Sequence, residues 1–466
     1  MISSPSTASS LSAKAAKSDL FDQSALSALA QRLVEAAKRA GADAADAVAV
    51  RGVSQGVEVR DGRVEESERS EGDDVGLRVL VGQRQAVVST NDISGDGIAK
   101  LAERAVAMAR VAPDDKYVGL ADPALLARDF PDLDLLDPVV PSTAELERRA
   151  QEAEAAALAV KGVSKSGGAS ASAGIGGMVL VTSTGFHGSY LRSSQGISMT
   201  AISGEGTGME RDYDYTTAPH AADLESPERV GRIAGERTVA RANPRKVETC
   251  EVPVVFDPRV SGSLVGHLVG AVNGASIARK TSFLKDRLGE QLFSKNIRII
   301  DDPLRKRGLR SQTFDAEGVT VKKLAIIDEG VLTTWLLDCA TARELGLVTT
   351  GHAHRGVSSS PSPGPYNLHL EAGKPTPAEL MSDIKQGFYV TDLIGSGVNG
   401  VTGDYSRGAS GFWIENGKPT YPVSEVTIAG HLLEIFKSMV AANDLEFRYG
   451  VNAPTVRIEG LTLGGR

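Results

Sequence analysis

The sequence predicts an α+β fold: an N-terminal helix and antiparallel-sheet domain, a linking α/β region and a large β-rich C-terminal domain. Three observations carry this. Apolar runs of strand length alternate with turn dipeptides between Asp46 and Thr90, and helix-period patterns flank them on both sides. Glycine supplies 50 of the 466 residues, well above the usual ~7%, which multiplies tight turns between strands.

Residues 1–20 are rich in Ser and Ala, with no acid before Asp19, and read as a disordered tail. The first helix follows from Leu26, Leu29, Leu33 and Ala37 on one face, with Gly41 as the stop. Strand-length runs come next: Asp46 to Gly52, Gly56 to Arg60, Arg63 to Ser70, Val75 to Val81 and Gln85 to Thr90. Asp61-Gly62 between two of them is a hairpin signal, because both central residues tolerate positive φ. A second helix, Asp96 to Val111, turns Ile98, Leu101, Ala105 and Met108 inward and completes a domain over 21–115.

Residues 112–141, rich in Asp, Pro and Leu, form a connector. Ser142 followed by Glu145 is a capping-box pattern opening a helix to about Val160. The Gly/Ser/Ala run from Gly162 to Gly177 reads as loop or edge strand, and Met178 to Thr184, Gly188 to Arg192 and Gly196 to Ser203 as strands. Ser226-Pro227 starts a helix reaching about Ala242, and Asn243-Pro244 ends it. This gives a central α/β domain over 116–245. The β-rich domain, 246–466, opens with a strand from Cys250 to Phe256. A helix after Asp257-Pro258 follows, with Leu264, Leu268 and Val272 as its buried stripe. Strands are expected at Ile297 to Asp301, Val321 to Asp328, Val331 to Leu336, Leu368 to Glu371, Gly387 to Ile394, Gly411 to Glu415 and Thr455 to Leu463.

The formal charge of −8 argues against a nucleic-acid or anionic-membrane surface. No run approaches the ~18 apolar residues of a membrane span, and two cysteines cannot build a disulfide framework. A cytoplasmic protein is expected. There is no phosphate-binding glycine loop, no Gly-x-Ser-x-Gly elbow and no Cys-x-x-Cys. His352-x-His354 could offer two rings to a metal, though no acid or cysteine stands nearby in sequence to complete a set. His267 lies in a helix among Gly262, Gly266, Gly270 and Gly274, small residues that let another chain approach.

These landmarks, in order, resemble the TldD/PmbA family and its PmbA (TldE) branch. The matching stretches are Val57 to Gly62, Gly266 to Gly270, Lys280 to Leu284, Leu393 to Asp404, Glu415 to Lys418, Ala442 to Leu445 and Leu461 to Gly465. The resemblance implies a heterodimeric zinc metallopeptidase that takes unfolded peptides into an enclosed cavity. Its TldD subunit carries a His-Glu-x-x-x-His helix and a distant cysteine ligand. In this chain the corresponding positions are Val265, Gly266 and Gly270, and no cysteine follows Asn443-Asp444.

The resemblance therefore implies no metal site and no catalytic residue here, with zinc held by a TldD-like partner. This chain would complete the cavity and offer a strand edge to an unfolded peptide. Arg279, Lys280 and Arg310 are candidates for gripping the peptide's carboxylates or C-terminus, and His267 and His352 for lining the cavity. Two alternatives stay open: a self-sufficient metallopeptidase using His352 and His354, or a homodimeric peptide-binding scaffold.

Overall fold

The computed structural model describes residues 22–465; the tail expected over 1–20 lies outside the described residues. Helix α1 (Ser24–Arg39) buries Leu26, Leu29, Leu33 and Ala37 as its spacing requires. Strands β1 (Ala44–Arg60), β2 (Arg63–Val81) and β3 (Arg84–Thr90) follow. The four runs expected between Asp46 and Val81 are two long strands, because Gly52, Gly56 and the acids around Asp73 are accommodated within the ladder. The turn at Asp61-Gly62 forms with φ of 52° and 73°. Helix α2 (Gly95–Val111) is capped by Ser94, whose side chain accepts the Gly97 N–H. Met108, expected inward, is exposed, and Ala109 takes the buried position.

Helix α3 (Thr143–Leu158) forms half of the expected capping box. Ser142 accepts the Glu145 N–H, but the Glu145 carboxylate turns to Arg148 and Arg149 instead of back to the cap. Strands β4 (Val163–Thr182), β5 (His187–Ser203) and β6 (Glu210–Ala218) and helix α4 (Pro227–Ala240) complete this half. The run from Gly162 to Gly177 is neither loop nor edge: most of it lies in β4, held between β1 and β5. Its alternate residues Ala169, Ala171 and Ala173 face the core under α3 and α4, which small side chains fill at close range.

Segments 21–115 and 116–245 thus share one antiparallel sheet, ordered β3-β2-β1-β4-β5-β6. They keep separate apolar cores on the same sheet face, one beneath α1 and α2 and one beneath α3 and α4.

The C-terminal half begins with β7 (Cys250–Phe256), α5 (Pro258–Ala271) and α6 (Gly274–Ala278), then β8 (Ile299–Asp301), β9 (Leu324–Asp328), β10 (Val331–Leu332) and α7 (Cys339–Leu345). It continues with β11 (Ala353–His354), β12 (Ser362–Pro363), β13 (Leu368–Leu370), α8 (Pro377–Met381), β14 (Gln386–Ile394) and β15 (Asp404–Glu415). The chain ends with β16 (Lys418–His431), α9 (Leu432–Ser438), β17 (Val440–Ala441), β18 (Val451–Asn452) and β19 (Val456–Gly464). One sheet runs β16-β15-β14-β7-β19-β17, and pairing of β16 with β19 closes it into a ring around an apolar core. Phe256, Phe388, Tyr405, Ile428 and Ile458 fill that core together with Leu264 and Leu268 of α5. A second sheet runs β10-β9-β8-β13-β18.

Candidate functional site

Helix α5 starts where Asp257 accepts the Arg259 N–H and Pro258 occupies the first turn. Val265 points into the core, whereas Gly266 and Gly270 lie exposed with nothing packed where their side chains would stand. His267 is half-buried, edge-on to Tyr405 at 5.8 Å. Its Nε2 has no hydrogen-bond partner. Burial, followed by the Arg407 charge, lowers its pKa to about 4, so the ring is neutral at physiological pH. At the three positions where the resemblance implies ligands and a general base stand an alkyl group and two hydrogens, which leaves His267 as a single donor on this helix. Zinc does not fit this helix through side chains of this chain.

The other expected residues are not gathered with His267. Arg279 and Lys280 are exposed at the end of α6, Lys280 with φ of 59°. Arg310 is also exposed. His352, expected to line a cavity, is fully buried: its Nδ1 faces the Thr350 carbonyl at 2.8 Å and its Nε2 faces Asp301 at 3.4 Å. His354 packs on Tyr366 at 4.6 Å between ring centres. Burial, then the neighbouring His352, lowers its pKa to about 4. Among the described residues no three His, Cys, Asp or Glu side chains gather as a metal requires, so the His352/His354 chelate lacks a third donor.

What the fold does assemble is a buried charged seam between the N-terminal sheet and the C-terminal half. Asp46 of β1 accepts a hydrogen bond from Arg78 Nε of β2 at 2.7 Å and pairs with Arg355, which follows β11. Glu317 accepts the Cys339 N–H at 2.7 Å, and Asp315 accepts the N–H groups of Glu317, Val319 and Ala353. Burial and the adjacent Glu317 push the Asp315 carboxyl well up.

A pH dependence follows. Asp315 holds its proton more tightly folded than unfolded, so its contribution is full below the ordinary value of 3.8 and is lost as pH rises through the folded pKa. Asp315→Asn is expected to remove this loss, which is at most about 1.4 kcal/mol per pH unit. Its amide oxygen can still accept from Glu317 and Val319. Urea denaturation of both proteins across pH 4 to 8 measures the difference in slope.

Beside the seam lies a groove of about 570 Å³ whose floor is the sheet face opposite the helices. Register places Gly72, Gly52, Gly176 and Arg192 in one row across β2, β1, β4 and β5. The next row is Asp74, Val50, Met178 and Tyr190. Met178 and Tyr190 also line an adjoining pocket of about 340 Å³, walled on the C-terminal side by Gln312, Arg355, Ser359 and Ser362. Sequence reasoning missed Arg355 and the glycine row. The one available signal was glycine at strand period, as in Gly174 and Gly176 or Gly72 and Gly76.

Fold and site together define a two-part α+β protein, an open sheet joined to a closed strand ring, with a groove on the helix-free face of the open sheet. Residues 45–109, 136–242 and 249–465 match the families described as PmbA/TldA metallopeptidase domain 1, central domain and C-terminal domain. Metalloprotease PmbA of Escherichia coli O157:H7 is 39% identical, over 88% of this chain and 90% of that protein. The Metalloprotease PmbA homolog of Haemophilus influenzae is 37% identical, over 93% and 94%. A crystal structure from Bacteroides thetaiotaomicron superposes with a TM-score of 0.86 at 27% identity, covering 94% of this chain and 98% of that one. TldE from Thermococcus kodakarensis shares the fold, with a TM-score of 0.82 at 19% identity, covering 94% and 100%. The chain belongs to the PmbA/TldD family of metallopeptidases, in its PmbA branch. No helix among the described residues is long and apolar enough to cross a membrane.

Proposed function

We propose that this chain is the non-catalytic subunit of a cytoplasmic two-subunit metallopeptidase. It completes the cavity in which a TldD-like partner, carrying the zinc, cleaves unfolded peptides. One observation carries the reading: Val265, Gly266 and Gly270 occupy the positions at which the resemblance implies the TldD subunit's metal ligands and general base. Without thiolate, imidazole or carboxylate there is nothing to supply the binding free energy of a zinc site. When bound in the partner, zinc would polarise the scissile carbonyl and acidify a water. The residues of this chain contribute enclosure and a surface for an extended substrate.

The test is purification alone and together with a TldD-like chain, followed by metal analysis and cleavage of unfolded casein with and without chelator. The expected result is no retained zinc and no cleavage by the single chain, and chelator-sensitive cleavage by the pair. Stoichiometric zinc and cleavage in the isolated chain would establish a self-sufficient peptidase instead. A stable self-dimer unaffected by the added chain would support a scaffold.

A further inference from the structure

We propose that the groove binds an extended peptide with a free terminal carboxylate, the chain lying over Gly72, Gly52 and Gly176 and the carboxylate received by Arg355. This deepens the peptide-handling reading above and rests on it.

The first observation concerns the glycines. Glycine within a strand costs backbone entropy and packs nothing, so it needs a reason. Four residues along the strands, Gly76 and Gly188 have one inside this molecule. A side chain at Gly76 would run into the Val357 carbonyl, and one at Gly188 would come within 2.8 Å of the Phe314 ring. Gly72 has nothing within 4 Å, and the nearest atom to a side chain at Gly52 or Gly176 is a carbonyl oxygen at 3.9 Å. Three adjacent strands thus present bare backbone in one row with no internal demand for it. The row spans roughly 10 Å at the usual ~4.8 Å between strands, and a body outside the chain is what a smooth floor accommodates.

The second observation is Arg355. Its side chain is 1% exposed and its Nη1 pairs with Asp46, while Nε and Nη2 have no partner. Those two nitrogens form one edge of the guanidinium fork, the edge that matches a carboxylate with two parallel hydrogen bonds. A buried cation with that edge unpaired is costly until an acceptor arrives. Ser359 and Ser362 in the same pocket add hydroxyl donors. Met178 and Tyr190 belong to both cavities, so the glycine row adjoins the pocket that Arg355 lines; the fork itself is covered, and a carboxylate reaches it when the pocket wall yields. Asp74, at the far side of the groove floor, suits a basic or amino group of the same chain.

The test uses fluorescence anisotropy on the full chain, with a labelled, unstructured ten-residue peptide as the free acid and as its C-terminal amide. The acid is expected to bind at least tenfold tighter than the amide, and Arg355→Lys to bring the acid down to the amide. Because Arg355→Lys also disturbs Asp46, Gly52→Val provides the independent variant: its Cβ comes no closer than 3.9 Å to a neighbour, and the change should keep the melting temperature and weaken the acid peptide at least tenfold. Equal binding of acid and amide, no binding of either, or unchanged binding by a folded Gly52→Val would overturn the proposal. Acid-selective binding without cleavage when a TldD-like chain is added would remove the subunit reading and leave this site standing. Cleavage by the pair with Gly52→Val binding as wild type would do the reverse.

Discussion

Asp46→Ala is expected to destabilise the folded chain by about 3–5 kcal/mol, the usual range for breaking a buried ion pair from one side. Asp46 is 1% exposed and faces two guanidiniums, Arg78 across the β1–β2 ladder and Arg355 from the C-terminal half. Burial alone would push its carboxyl up, but Arg355 and Arg78 overcome that and hold it below the ordinary range. Alanine leaves both cations in a site from which water is largely excluded. Glu317, 4.0 Å from Arg78, is the nearest substitute on that side, and burial raises its own pKa.

The loss should be read by urea denaturation at neutral pH, with Asp46→Asn as a partner variant that keeps one acceptor and therefore loses less. A cost below about 1 kcal/mol would show that Glu317 or solvent neutralises the pair, and the seam would then be polar contact rather than a fastening. The sign with pH is opposite to that of Asp315. Asp46 is depressed when folded, so its contribution is present above 3.8 and is lost as pH falls through the folded value.

Local chemistry made much of the fold legible. Ser142, Ser226 and Asp257 each cap the helix that follows, and Asp61-Gly62 makes its turn, because capping and positive φ are decided within a few residues. Strand length was not legible in the same way. The stretch from Glu71 to Asp74 looks like a break, yet β2 continues through it because its ladder with β1 supplies the hydrogen bonds. The strand Lys418–His431 went unread because Pro419 and Pro422 interrupt its pattern, and the ladder bulges there. Its second pairing, with β19, closes the ring.

The site was less legible for the same reason, carried further. The three vacated motif positions can be read along one helix, since they are neighbours in sequence. Arg355 is adjacent to the His352-x-His354 motif that drew attention, but its role depends on Asp46, 309 positions away. The glycine row exists only through register: Gly52, Gly72 and Gly176 become neighbours when three strands align. Composition records glycine excess, and only the ladder says where the excess is spent.

Phe314→Ala is expected to cost about 3–5 kcal/mol, as for a fully buried aromatic whose neighbours cannot collapse into the void. Phe314 is 0% exposed. Its ring meets Phe186 edge-on at 5.2 Å, Phe130 at 5.7 Å and Tyr190 at 6.0 Å between centres. These partners come from the N-terminal half, so the ring is the apolar counterpart of the charged seam around Asp46. Gly188 beneath it holds the sheet close, which limits relaxation. Phe314→Leu, which retains most of the volume, should lose less than half as much. Because Tyr190 also lines the groove, the alanine variant should loosen the groove wall as well as the fold. Calorimetry reads the stability, and acid-peptide anisotropy on the still-folded leucine variant reads the wall. A loss near 1 kcal/mol for alanine would mean that the halves repack around the void and that the ion pairs alone join them.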